Sequence, residues 1–160
     1  MNRRSILVAS VIAALGLALA AGNAFALTAK DLAGTTWTLV SVSADTFGSN
    51  PKGVLMFDAS GRVFAQLMRP DLAKYASNNR NQGTPEEYKA TVQGMISYFG
   101  TYSVSGTDLL IHIEGSSFPN WTGTDQKRTN ITVTGDELKW TQPTPSAGGA
   151  PVATVWKRAK

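Results

Sequence analysis

From Gly34 to the C-terminus, short apolar runs alternate with clusters of turn-forming residues, and this rhythm permits little besides antiparallel sheet. The runs are residues 37–42, 54–57, 62–68, 98–104, 109–114, 124–133, 137–141 and 152–156. Asp58-Ala59-Ser60-Gly61, Ser105-Gly106-Thr107 and Thr134-Gly135-Asp136 separate neighbouring runs. Asp and Gly tolerate the turn dihedrals that other residues resist, so these read as hairpins. Pro70 ends the third run by removing a ladder donor. After a loop over residues 71–83, Thr84-Pro85-Glu86-Glu87 starts a helix, with Thr as N-cap, Pro at the first helical position and acids in the first turn. Tyr88, Val92 and Met95 form one apolar stripe, which predicts that this helix ends near Ile96 and packs down on the sheet. The expected fold is all-β: an eight-stranded antiparallel up-and-down barrel with one short helix inserted between the third and fourth strands. Closure removes exposed strand edges. An open sandwich of the same strands is the alternative.

The first 26 residues carry a different pattern. Arg3 and Arg4 precede an almost wholly apolar stretch over residues 6–21, and Ala24-Phe25-Ala26 places small residues where a signal peptidase reads. The stretch is short for a bilayer span, which needs about 20 apolar residues. No Cys follows it, so a lipidated terminus is excluded. We therefore expect a signal peptide over residues 1–26 and a barrel domain over residues 27–160. Cleavage after Ala26 would give a periplasmic or secreted bacterial protein with no stable membrane anchor.

The whole chain has 0 Cys, which excludes disulfides and thiolate metal sites. Its single histidine, His112, excludes a multi-histidine zinc site. We expect no metal and no cofactor. Without Arg3 and Arg4 the Lys/Arg count falls from 15 to 13 against 11 Asp/Glu, and those charges are dispersed. That is no footprint for nucleic acid.

Several blocks then line up in order: Gly34-Thr35-Thr36-Trp37, Gln66-Leu67-Met68-Arg69-Pro70, Gly83-Thr84-Pro85-Glu86-Glu87, Tyr98-Phe99-Gly100-Thr101-Tyr102, and Phe118-Pro119-Asn120-Trp121 leading to Asp125-Gln126-Lys127-Arg128. This series resembles the bacterial and fungal lipocalin-like domain family, a branch of the calycin-type β-barrels, over residues 32–157. The resemblance implies a barrel with a central cavity. It implies little about chemistry, because fold does not fix function.

Trp37 is expected to plug the closed end, its indole N–H needing one acceptor. Candidate ligand-binding residues are Phe64, Gln66, Met68, Arg69, Tyr98, Tyr102, His112, Phe118, Asn120, Trp121 and Arg128. His112 sits in a run where Leu109, Ile111 and Ile113 share one face, and Leu110, His112 and Glu114 the other. On an outer face His112 is merely exposed; on an inner face it would pair with Glu114. Arg69 has a fork suited to a ligand carboxylate or to tying down the loop beside Asp71. The rings of Phe118 and Trp121 either grip a ligand at the barrel mouth or fold back on the wall.

The favoured function is an exported binding protein for a small, largely apolar ligand, drawing on Phe57, Phe64, Met68, Tyr98, Tyr102 and Trp140. One alternative is an isomerase, cyclase or hydrolase with His112 as acid or base, assisted by Tyr98, Tyr102 or Glu114. Another is an envelope structural or interaction protein with a filled barrel. No strong catalytic motif is present. Oligomeric state is left open.

Overall fold

The computed structural model describes residues 27–160; the expected signal peptide, residues 1–26, lies outside the described residues. Period-two alternation drives each strand to bury one face. The strands are β1 (Thr35–Val42), β2 (Lys52–Phe57), β3 (Arg62–Met68), β4 (Met95–Ser105), β5 (Asp108–Ser116), β6 (Asp125–Thr134), β7 (Glu137–Gln142) and β8 (Val152–Arg158). Each pairs antiparallel with the next, and β8 returns to β1, so the sheet is a closed barrel rather than an open sandwich. Val63, Ala65 and Leu67 of β3 point inward, as do Leu109, Ile111 and Ile113 of β5.

One end is closed by a short helix, α1 (Ala29–Leu32), that the sequence reading did not anticipate. Its four residues are too few to show a period. The signal is Thr28 with Asp31: the Asp31 carboxylate accepts from the Thr28 backbone N–H at 2.7 Å, the reciprocal half of a capping box. Leu32 is driven fully into the core cluster that also holds Trp37, itself 0% exposed. The Trp37 indole donates to Thr35 Oγ1 at 2.7 Å, and the Arg158 guanidinium lies 4.3 Å from its ring centroid. Tyr102 belongs to this plug. Its ring meets Phe57 edge-on at 4.8 Å, and its hydroxyl donates to the Ala29 carbonyl at 3.3 Å.

The inserted helix, α2 (Pro85–Gln93), departs from expectation in two ways. It stops at Gln93 rather than near Ile96, because Met95 is already paired with Met68 in the β3–β4 ladder. Its stripe does not pack on the barrel either: Val92 is 71% exposed and no residue of the helix is buried. The helix holds its own preceding loop instead. Tyr88 meets Tyr75 edge-on at 5.7 Å and accepts from the Gly83 N–H. The Glu87 carboxylate accepts from the backbone N–H groups of Ala76 and Thr84, and these two bonds, Ala76 first, hold its pKa below the ordinary value.

Two bulges set which side chains face inward further along. Phe99 pairs with Gly115 but Gly100 with Ile113, leaving Glu114 as the extra residue on β5. In β6 the register shifts between Thr129 and Thr132, where Asn130 adopts φ of 54°. That shift puts Arg128 and Ile131, three positions apart, both on the buried side.

Candidate functional site

The end opposite the plug is where strand ends and loops leave room. The β1–β2 loop carries a 3-10 turn, Asp45–Phe47, that folds Phe47 back against the core. Beneath it an internal cavity of about 50 Å³ runs down to Tyr98, Trp121, Arg128, Trp140, Thr154 and Trp156. Outside it lies a wider groove of about 800 Å³, bordered by Arg69, Leu72, Val92, Met95 and Phe118. Thr46, Phe47, Ile96, Ser146 and Ala147 line both spaces, so the two adjoin across these residues.

The inner walls are aromatic. Trp140 and Trp156 lie 5.7 Å apart, and the Trp156 indole donates to Thr154 Oγ1 at 3.0 Å, so the Trp156 ring presents apolar surface with its N–H satisfied. Trp121, from the 3-10 turn Pro119–Trp121, meets Tyr98 edge-on at 5.7 Å and Phe118 at 6.0 Å. The Arg128 guanidinium stands 5.7 Å from both the Tyr98 and the Trp121 centroids. It donates to the Lys127 carbonyl at 2.9 Å and to the Tyr98 hydroxyl at 3.3 Å. Arg128 is 1% exposed.

Of the expected ligand-binding residues, the fold therefore brings together Tyr98, Trp121 and Arg128 inside, with Phe118 at the mouth. Arg69 borders the outer groove, and the rest stand elsewhere. Phe64, Gln66 and Met68 lie on the outer face of β3, because Val63, Ala65 and Leu67 take the inner one. Phe64 pairs across the surface with Met56 and Phe99, and Gln66 contacts the Met68 sulfur at 3.8 Å. Arg69 forks onto Asp71 with both contacts at 2.9 Å, which fits its loop-tying role. Tyr102 serves the plug, where burial, then the Asp58 charge, raises its phenol pKa. Asn120 is exposed on its turn.

His112 is on the outer surface, since Leu109, Ile111 and Ile113 are all 0% exposed. Its expected partner Glu114 is taken by Arg62 at 2.6 Å, and His112 Nδ1 lies 2.8 Å from Asp125 Oδ1, its neighbour across the β5–β6 ladder. His112→Gln should thus change the affinity of any cavity ligand by less than about twofold, the size of an ordinary surface effect. Titration calorimetry checks this, and a loss of tenfold or more would place His112 in the site after all. Among the described residues no group of three metal-ligating side chains converges.

Sequence reasoning missed Phe47 and Trp156. The alternation of Thr154 and Trp156 in the last strand was a usable signal for the second. Nothing local marks the fold-back of Phe47, which depends on where its loop lands.

A closed antiparallel barrel of eight strands, plugged at one end by a short helix and a stacked Trp–Arg pair and bearing an aromatic cavity at the other, is a lipocalin-like barrel. The chain belongs to the lipocalin-like domain family, whose pattern it matches over residues 34–159. It is also similar to the 4'-hydroxy-3'-methoxypropiophenone carrier protein ppsC of Aspergillus oryzae, with 34% identity over 83 residues, covering 47% of this chain and 74% of that protein.

Proposed function

We propose that this chain is an exported carrier that binds a small, largely apolar aromatic molecule at the unplugged end of its barrel. The observation that carries this reading is the aromatic inner cavity, walled by Trp121, Trp140 and Trp156, which adjoins the larger outer groove across Phe47. Aromatic walls with a few convergent polar groups are the usual make-up of a small-molecule site. The inner space of about 50 Å³ holds only a few waters or one polar group. The ligand's ring therefore lies at Phe47 and the groove, with one end reaching inward. The likeness to a carrier of a substituted aryl ketone supports the same class of ligand. The charged start, apolar run and Ala24-Phe25-Ala26 site support export before binding.

The test uses the full chain expressed with its N-terminal segment intact. Protein recovered from the periplasm or medium should begin at Leu27. Titration with 4'-hydroxy-3'-methoxypropiophenone should then quench tryptophan fluorescence saturably, since that compound names the similar carrier. Retention of Met1 would overturn the export reading. A titration without saturation for this ketone and related small aromatics would overturn the carrier reading and leave a filled barrel acting through its outer surface.

A further inference from the structure

We infer that Arg128 is an anion anchor inside the barrel, and that the molecule it takes is a small aromatic carboxylate bound with its carboxylate inward. This rests on the carrier reading above and specifies its ligand.

The arginines with carboxylate partners keep side chains 32–48% exposed: Arg62 with Glu114, Arg69 with Asp71 and Arg158 with Asp136. Arg128 is different. It is 1% exposed, and among the described residues no carboxylate lies within 4.0 Å of it. A permanent cation taken out of water without a counter-charge is costly, and proteins seldom retain one without use. Two aromatic faces at 5.7 Å offset part of that cost. Only two of the five guanidinium N–H donors have protein acceptors, the Lys127 carbonyl and the Tyr98 hydroxyl. The Tyr98 hydroxyl, accepting from Arg128, keeps its own proton to donate. These donors border the inner cavity, whose size suits a carboxylate but not a ring. An arginine fork matches two carboxylate oxygens in one plane, which a lone ketone or ester oxygen does not.

The experiment measures calorimetric affinities of the mature protein for 4-hydroxy-3-methoxybenzoate and for its methyl ester, at neutral pH. Wild type should bind the carboxylate at least about tenfold more tightly than the ester, the scale of hydrogen bonds to a charged group. Arg128→Met should weaken the carboxylate by about 10–100-fold while moving the ester less than about threefold. Without ligand, Arg128→Met should melt at or above the wild-type temperature, because it removes an uncompensated buried charge. Arg128→Lys keeps charge but not fork, and should lose part of the carboxylate preference. It carries the comparison if the Met variant does not fold. Equal wild-type affinity for both probes, or equal weakening of both by the substitutions, would overturn the anchor and leave the carrier reading standing. A destabilised Arg128→Met that keeps the carboxylate preference would also overturn it and give Arg128 a structural role. Failure of both probes to bind wild type would overturn the carrier reading with it.

Discussion

Replacing Trp37 by alanine is expected to lower the unfolding free energy by about 3–5 kcal/mol, the usual result of deleting a large buried aromatic. The ring is 0% exposed, and several features of the plug depend on it together. Leu32 packs in the same core cluster, Thr35 Oγ1 accepts its N–H, and Arg158 lies 4.3 Å above its face. Alanine leaves a cavity and strips that arginine of its aromatic partner. In a barrel of this size the loss corresponds to a fall of about 10–20 °C in Tm. The plug is at the far end from the cavity mouth, so ligand affinity well below Tm should be unchanged. Calorimetric melting of variant and wild type checks the first part, and titration in the cold the second. A loss below about 1 kcal/mol would mean that the closed end is held by α1 alone.

Gly100→Ala is expected to cost about 3 kcal/mol or more, the upper end of what inserting a single methyl group usually costs. A Cβ at Gly100 would sit 1.8 Å from the carbonyl oxygen of His112. That neighbour is backbone, held in the β4–β5 ladder, and cannot rotate aside as a side chain would. The β5 bulge at Glu114 draws that strand against β4 here, so only hydrogen fits. The ladder must open for alanine to enter. Thr101→Ala, one residue along on the exposed face, should stay within about 0.5 kcal/mol. Equal stability for the two variants, measured by urea unfolding, would show that the bulge yields to a methyl group.

Gly100 illustrates how far local reading extends. It was visible in Tyr98-Phe99-Gly100-Thr101-Tyr102 as part of a family-like block, but its reason lies across the sheet. The run Arg62–Met68 is similar. Its length and ends follow from the Asp58-to-Gly61 turn and Pro70, while its orientation does not, because both faces are apolar. Phe64 and Met68 on one side look as buriable as Val63, Ala65 and Leu67 on the other. Closure of the barrel chose the smaller set for the inside, and the larger side chains went out. The Tyr88-Val92-Met95 stripe failed for a related reason. Three apolar residues at helical spacing find a surface only if one is within reach, and here Met95 had left for β4 and Tyr88 had turned to Tyr75.

Period, turns and composition by themselves determined the class: hairpin-linked strands in number enough to close, no metal or disulfide chemistry from Cys, and a Gly-x-x-Trp start whose tryptophan needs an interior. These are properties of a few residues in a row, and local sterics with apolar burial are enough to specify them. Only the tertiary structure decided the site. With Ile131 and Val133 facing in, strict alternation would send Arg128 to the solvent side. The bulge at Asn130 resets the count and turns a charged residue into the barrel. Its encounter there with Tyr98, from β4, and Trp121, from a turn between strands, joins segments that share no local signal. Such a meeting is settled by register and closure, which are sums over all the strands and belong to no single stretch of sequence.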